Sequence, residues 1–214
     1  MAIYPKPIRT LVELLQSLPA VGPKTAERYT LALRAWPAGR QAALAKAVAE
    51  LADRLETCAA CGVTILKTKD EPKLCEICQD PRRQSTLLCI VEREPDAAAL
   101  EKTELFKGRY FILNGALSPT KINAQVSRRL TALKQRLLAE PPVTEVILAL
   151  NPTPLGDATA LIIQRLAAGL KIKITRLGRG LSFGAQVDYA DATTLANALK
   201  FRQTIKPSTR PSAR

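Results

Sequence analysis

Two Cys-x-x-Cys pairs in a chain without histidine constrain this sequence more than any other feature. Cys58 and Cys61 form one pair, Cys75 and Cys78 the other, and thirteen residues separate them. Two such knuckles can converge four thiolates on one Zn²⁺ in a tetrahedron. With no histidine in the chain, the ligand set must be four cysteines. A closed four-thiolate site has no open position, so the spacing predicts one structural zinc ion per chain and no metal catalysis there. Loss of a ligand should loosen residues 58–80. The fifth cysteine, Cys89, sits in the apolar run LLCIV and reads as a buried core thiol.

The missing histidine also removes the commonest general base and proton shuttle. The formal charge of the 214 residues is +13, which points to a polyanionic partner, most simply nucleic acid. The opening MAIYPKPIRT has no apolar core of a secretory signal, and no apolar run approaches the roughly eighteen residues of a membrane span. A cytoplasmic location is expected, and in a reducing compartment paired cysteines favour metal over disulfides. A basic zinc protein of the ribosome would share these totals.

Residues 6–57 read as helical. Ile8, Leu11, Val12, Leu14 and Leu15 follow a helical apolar pattern, and LPAVGP breaks it. A second helix is predicted over about 24–33 and a third over 38–57. Gly22 is expected to allow positive φ or a close backbone approach. Lys24 and Arg28, four apart beside a helix start, share one face that suits phosphate. The same residues also fit a plain pair of helices with a solvated face.

From about residue 86 the pattern changes to strands at 87–91, 110–113, 143–150 and 171–175, alternating with helices at 95–102, 122–138 and 156–168. That alternation predicts an α/β domain with a parallel sheet. The last stretch carries Lys200, Arg202, Lys206, Arg210 and Arg214 and no acid, and reads as a basic disordered tail.

LPAVGPKTAER, the two cysteine pairs, LLCIVEREPD, NGALSP, EVILALNPTPLGDATA and TRLGRGLSFGAQVDYADATTLANAL follow one another in a fixed order. Together they resemble bacterial recombination mediators of the RecR family. The resemblance implies a multi-module α/β chain: an N-terminal helix–hairpin–helix (1–57), a four-cysteine zinc finger (58–80), a Toprim-type α/β domain (81–176), a C-terminal helical segment (177–202) and the basic tail (203–214). It implies sequence-independent DNA binding, with Lys24 and Arg28 as the contacts. It also implies assembly into a ring, a tetramer, and action with RecO and/or RecF to help RecA onto gapped or single-stranded DNA. Three departures stand out: Ala20 replaces a usual glycine, the helix after the hairpin, RYTLALRAW, differs from the usual one, and the stretch after Pro119 lacks the family's glycine-containing run.

A catalytic Toprim centre holds Mg²⁺ with a glutamate after its first strand and a D-x-D pair after a later one. Glu92 stands at the first position, but Asn151 and Thr153 occupy the other two, so most of the charge needed for a divalent ion is missing. Asp157, with Glu94 or Asp96, offers nearby carboxylates. Glu92, Asp96 and Asp157 are therefore expected to form a partner-contact or weak-metal cluster in a protein that is not an enzyme. The alternative is a Mg²⁺-dependent Toprim nuclease or primase-like enzyme.

Overall fold

The computed structural model describes residues 3–67, 69, 72–115 and 124–204. The loop after Pro119 and the basic tail beyond Thr204 lie outside them. The chain forms two compact units, one of residues 1–57 with 64–69, the other of residues 58–63 with 70–214.

The first unit begins with α1 (Lys6–Gln16), whose Val12 is buried. Ser17 ends it, its hydroxyl donating to the Leu14 carbonyl at 2.6 Å. The reversal that follows places its positive φ at Ala20, φ 62°. Gly22 instead has φ −81°, ψ 171° and caps α2 (Pro23–Arg34) in extended form. The positive φ expected of Gly22 is thus carried two residues earlier, where an L-residue adopts it at a cost. Pro23 opens α2 with its φ already helical. Ala26 and Thr30 face inward.

Trp36 turns the chain into α3 (Ala38–Arg54), and the Arg40 guanidinium lies 3.6 Å from the Trp36 ring centre. The Gln41 amide donates to the Leu33 and Arg34 carbonyls, fastening the first turn of α3 to the end of α2. α3 ends at Arg54, three residues short of the expected boundary. Leu55–Thr57 form strand β1, antiparallel to β2 (Thr64–Leu66), with Leu55 opposite Leu66 and Thr57 opposite Thr64. The first cysteine pair lies in the connection between them. No residue of α3 is buried, and Leu44, Val48 and Leu51 are exposed.

In the second unit, α4 (Glu76–Gln79) follows Cys75 directly. A four-stranded parallel sheet then forms in the order β4-β3-β5-β6, with β3 at Gln84–Val91, β4 at Gly108–Ile112, β5 at Glu145–Ala149 and β6 at Lys173–Arg176. The helices between them are α5 (Glu94–Glu101), α6 (Ala124–Leu138) and α7 (Pro154–Leu166). α8 (Ala192–Lys200) closes the described chain, started by Asp191, which accepts from the Thr194 amide.

Alternate residues of β3 serve the two faces of the sheet. Leu88 and Ile90 pack with Phe111, Leu133, Leu137, Val146 and Ile163, the side covered by α6 and α7. Cys89 and Val91 pack with Ala97, Tyr110 and Ile112, against Val63 and Ile77 of the cysteine module. Cys89 is a core thiol, 2% exposed, pushed up to about 12 by burial. The parallel arrangement puts the ends of β3 and β5 side by side, with Val91 opposite Ala149. That is where an open parallel sheet presents its ligands.

Candidate metal centre and nucleic-acid interface

The first cysteine knuckle is a tight loop. The Cys58 amide donates to the Val63 carbonyl at 2.8 Å, and the Gly62 amide to the Cys58 carbonyl at 3.0 Å. Gly62 takes φ 89°, which only glycine adopts without strain. The second knuckle is aligned on the first by the Ala59 amide, which donates to the Lys73 carbonyl at 2.8 Å. Backbone amides also point at sulfur: Val63 to Cys61 Sγ at 3.5 Å, and Cys75 to Cys58 Sγ at 3.3 Å.

The four sulfurs of Cys58, Cys61, Cys75 and Cys78 lie within 4.8 Å of one another, and none is in a disulfide. Zn–S bonds of about 2.3 Å in a tetrahedron place sulfurs about 3.8 Å apart. The Cys61 and Cys75 sulfurs are 3.6 Å apart, so the donor set fits such an ion. Cys58 is held far below the ordinary thiol range by hydrogen bonds from Cys61, Cys75 and Cys78. Cys78 is pushed up by its hydrogen bonds with Cys58, Cys61 and Cys75, and burial adds to its shift. Among the described residues this is the one group of three or more metal-ligating side chains that converges.

On α2, Lys24 and Arg28 are both exposed, opposite the buried Ala26 and Thr30. No side chain caps the first turn of α2 and no acid sits in it. The helix start therefore keeps its positive end and its free amides for an anion. At Gly22 a Cβ would meet nothing within 4 Å, so the space in front of the turn is open.

The acidic residues at the carboxyl edge of the sheet are each engaged separately. Glu92 is 7% exposed, and both its oxygens are taken by one neutral residue. Its Oε1 accepts the Asn151 backbone amide at 2.8 Å and its Oε2 the Asn151 side-chain amide at 2.7 Å. Thr153, at the other position where catalysis would need an acid, caps α7 by accepting the Gly156 amide at 3.1 Å. Asp96 closes the first turn of α5 on the Arg93 amide at 2.9 Å. One oxygen of Asp157 accepts from Arg176 at 2.8 Å and Arg179 at 2.7 Å, and the two guanidinium groups hold it below the usual carboxylate range. Among the described residues Glu92, Asp96 and Asp157 do not converge into a group that could hold a metal ion.

Comparison with known proteins agrees with this arrangement. Family models described as "RecR, helix-hairpin-helix", "Toprim domain" and "RecR, C-terminal" match residues 8–52, 86–178 and 180–203. A recombination protein RecR of Heliobacterium modesticaldum is 40% identical over 205 residues, 96% of this chain and 100% of the relative. One of Pelotomaculum thermopropionicum is 42% identical over 206 residues, again 96% and 100%. One of Thermobifida fusca is 38% identical over 203 residues, 95% and 99%.

This chain belongs to the RecR family. Its modules are those of the family, and within them three arginines matter that the sequence did not single out. Arg176 and Arg179 neutralise Asp157, and Arg129 reaches from α6 to the first cysteine knuckle. The one available signal for Arg129 was its place in the apolar stripe of α6, three residues after the buried Val126. Ala20, where the resemblance leads one to expect glycine, takes a positive φ, the conformation glycine adopts most readily.

Proposed function

We propose that this RecR-family chain is a DNA-binding recombination mediator of DNA repair and not an enzyme. Its role is to act with RecO and/or RecF in helping RecA onto gapped or single-stranded DNA. The observation that carries the non-enzymatic reading is the Glu92–Asn151 pair. Glu92 accepts from the two N–H donors of the neutral Asn151, Asp157 is paired with two arginines, and among the described residues no set of carboxylates converges as a Mg²⁺ site needs.

The four cysteines hold one structural Zn²⁺, which joins the two knuckles and leaves no open coordination position. DNA binding is carried by Lys24 and Arg28 at the uncapped start of α2, in a chain of charge +13, and contacts phosphate without reading bases. The chain works as a ring-shaped homo-oligomer in the cytoplasm. The exposed Leu44, Val48 and Leu51 of α3 and Phe183, Val187, Tyr189, Leu199 and Phe201 of the C-terminal segment support assembly through both regions. Among the described residues no helix is long and apolar enough to cross a membrane.

Replacing Lys24 and Arg28 together by Ala should weaken binding to unrelated DNA sequences equally. It should also flatten the dependence of log K on log salt by about 2 per engaged subunit, the share of two phosphate contacts. A mobility-shift titration at two salt concentrations measures both, and an unchanged slope refutes the assignment. Mg²⁺-dependent cleavage of labelled DNA, lost in Glu92→Gln, would instead establish the enzyme.

A further inference from the structure

Four thiolates around one divalent ion leave a dianion, and here it is largely buried: Cys58, Cys61 and Cys78 are 0%, 3% and 4% exposed. Buried charge is costly unless a counter-charge or hydrogen bonds offset it. The N–H groups of Val63 and Cys75 supply part of this. They bring no net charge.

Arg129 of α6 lies against the first knuckle. One of its terminal nitrogens donates to the Cys61 carbonyl at 2.7 Å, and Nε donates to the Ile112 carbonyl, also at 2.7 Å. The guanidinium carbon is 4.1 Å from the centre of the Phe111 ring. A Cβ built on Gly62 would fall 2.5 Å from the same terminal nitrogen, so glycine at 62 leaves the guanidinium its place.

Both hydrogen-bond acceptors of this guanidinium are neutral, and among the described residues no carboxylate forms an ion pair with it. Arg136, seven residues on along the same face of α6, donates to the Ser85 carbonyl at 2.7 Å.

The Cys61 carbonyl has a second donor, the Ile112 amide at 2.8 Å. Ile112 ends β4, the edge strand of the sheet. The first knuckle thus covers the outward amide of an edge that would otherwise lie open. A change in the knuckle has a direct route to the sheet through Arg129 and Ile112.

We propose that Arg129 is the counter-cation of the zinc–thiolate centre and the residue that transmits metal occupancy to the edge of the sheet. This rests on the reading of the four cysteines as a zinc site. The competing account is a clamp: Arg129 ties two carbonyls together and is indifferent to the metal.

The full-length chain loaded with Zn²⁺ decides between them. The variants are Arg129→Gln, which removes the charge, Arg129→Lys, which keeps it, and Lys134→Gln, an exposed charge on the same helix. Zn²⁺ release to a chromogenic chelator, thermal midpoints with and without zinc, and hydrogen exchange at Ile112 are measured. Arg129→Gln should bind Zn²⁺ about 10- to 100-fold more weakly, the range typical of groups that support metal ligands. Arg129→Lys should stay closer to the parent, and Lys134→Gln should match it. Removing zinc from the parent should speed exchange at Ile112, and Arg129→Gln should show part of that increase while still loaded.

Equal Zn²⁺ affinity in the parent and Arg129→Gln overturns the proposal. So does an equal loss of thermal stability in the loaded and zinc-free forms, which is the signature of a clamp. If Arg129→Gln does not fold, Arg129→Lys decides, and a loss of affinity there as deep as 100-fold overturns the charge role. A parent chain that takes up no Zn²⁺ refutes the zinc reading itself, a result visible without any variant.

Discussion

Asn151→Asp places a carboxylate where a Mg²⁺-holding edge would need one, and the geometry around Glu92 dictates the outcome. The Asn151 side-chain nitrogen is 2.7 Å from Glu92 Oε2, so the exchange turns a hydrogen bond into a contact between two acceptors. Two full charges at that 2.7 Å separation would repel by about 6 kcal/mol at an effective dielectric constant of 20. A cheaper route exists, because one carboxyl can keep its proton and donate it to the other. Holding a proton at pH 7 on a group that ordinarily releases it near pH 4 costs about 4 kcal/mol, at about 1.4 kcal/mol per unit. The lower figure wins, so the variant should be about 3–4 kcal/mol less stable at pH 7 and about 1 kcal/mol less stable at pH 5. The sign follows from linkage. The folded variant holds a proton that the unfolded chain releases near pH 4, so the penalty is absent below that pH and grows as pH rises toward the folded-state value. Urea denaturation at both pH values, without divalent ions, measures it. For a chain of this size the loss at pH 7 corresponds to a fall in Tm of about 10 °C. A variant as stable as the parent at pH 7, or a loss that does not change with pH, would refute the view that Asn151 is what satisfies the buried Glu92.

Two backbone predictions concern the N-terminal reversal and the start of α7. Ala20→Gly removes an L-residue from φ 62°. Relief of about 1–2 kcal/mol against an entropic cost of about 0.5–1 kcal/mol predicts a gain of about 0.5–1 kcal/mol, read as a higher denaturation midpoint. Gly156→Ala would usually favour a helix, but here the new Cβ falls 2.1 Å from the Asn151 carbonyl oxygen and 3.3 Å from Glu92 Oε1. A loss of about 1–3 kcal/mol is expected in urea denaturation, and an unchanged midpoint would mean that the turn at Asn151 yields freely.

Elements with their own periodicity were legible in the sequence. The run LLCIV is strand because both faces of a parallel sheet are covered, and β3 holds it at residues 84–91 with two residue sets facing two cores. The short β1–β2 hairpin was not legible. Its strands have three residues each, too few to show alternation, and Leu55 continues the apolar stripe of the preceding helix. The position of the left-handed residue was misplaced for a related reason. Sequence offers the glycine in LPAVGP either such a conformation or a close backbone approach, yet Gly22 is extended with open space around it, and the positive φ falls on Ala20.

The candidate sites divide the same way. Four cysteines in two close pairs are local signals, and the fold has only to bring two loops together. Lys24 and Arg28 are one helical turn apart and need no tertiary information to share a face. Arg129 is different, because its partner at Cys61 is a backbone carbonyl 68 positions away. A carbonyl belongs to every residue, so no complementary residue type marks the contact in the sequence. What remains is an inconsistency within α6. Val126, Leu133 and Leu137 are buried at helical spacing, and Arg129 and Arg136 interrupt that stripe with charge. A cation on the buried face of a helix requires an acceptor or an anion beneath it. Here that ground holds two carbonyls and the knuckle of Cys61, so the charge that looks out of place in the helix pattern is the one aligned with the metal centre.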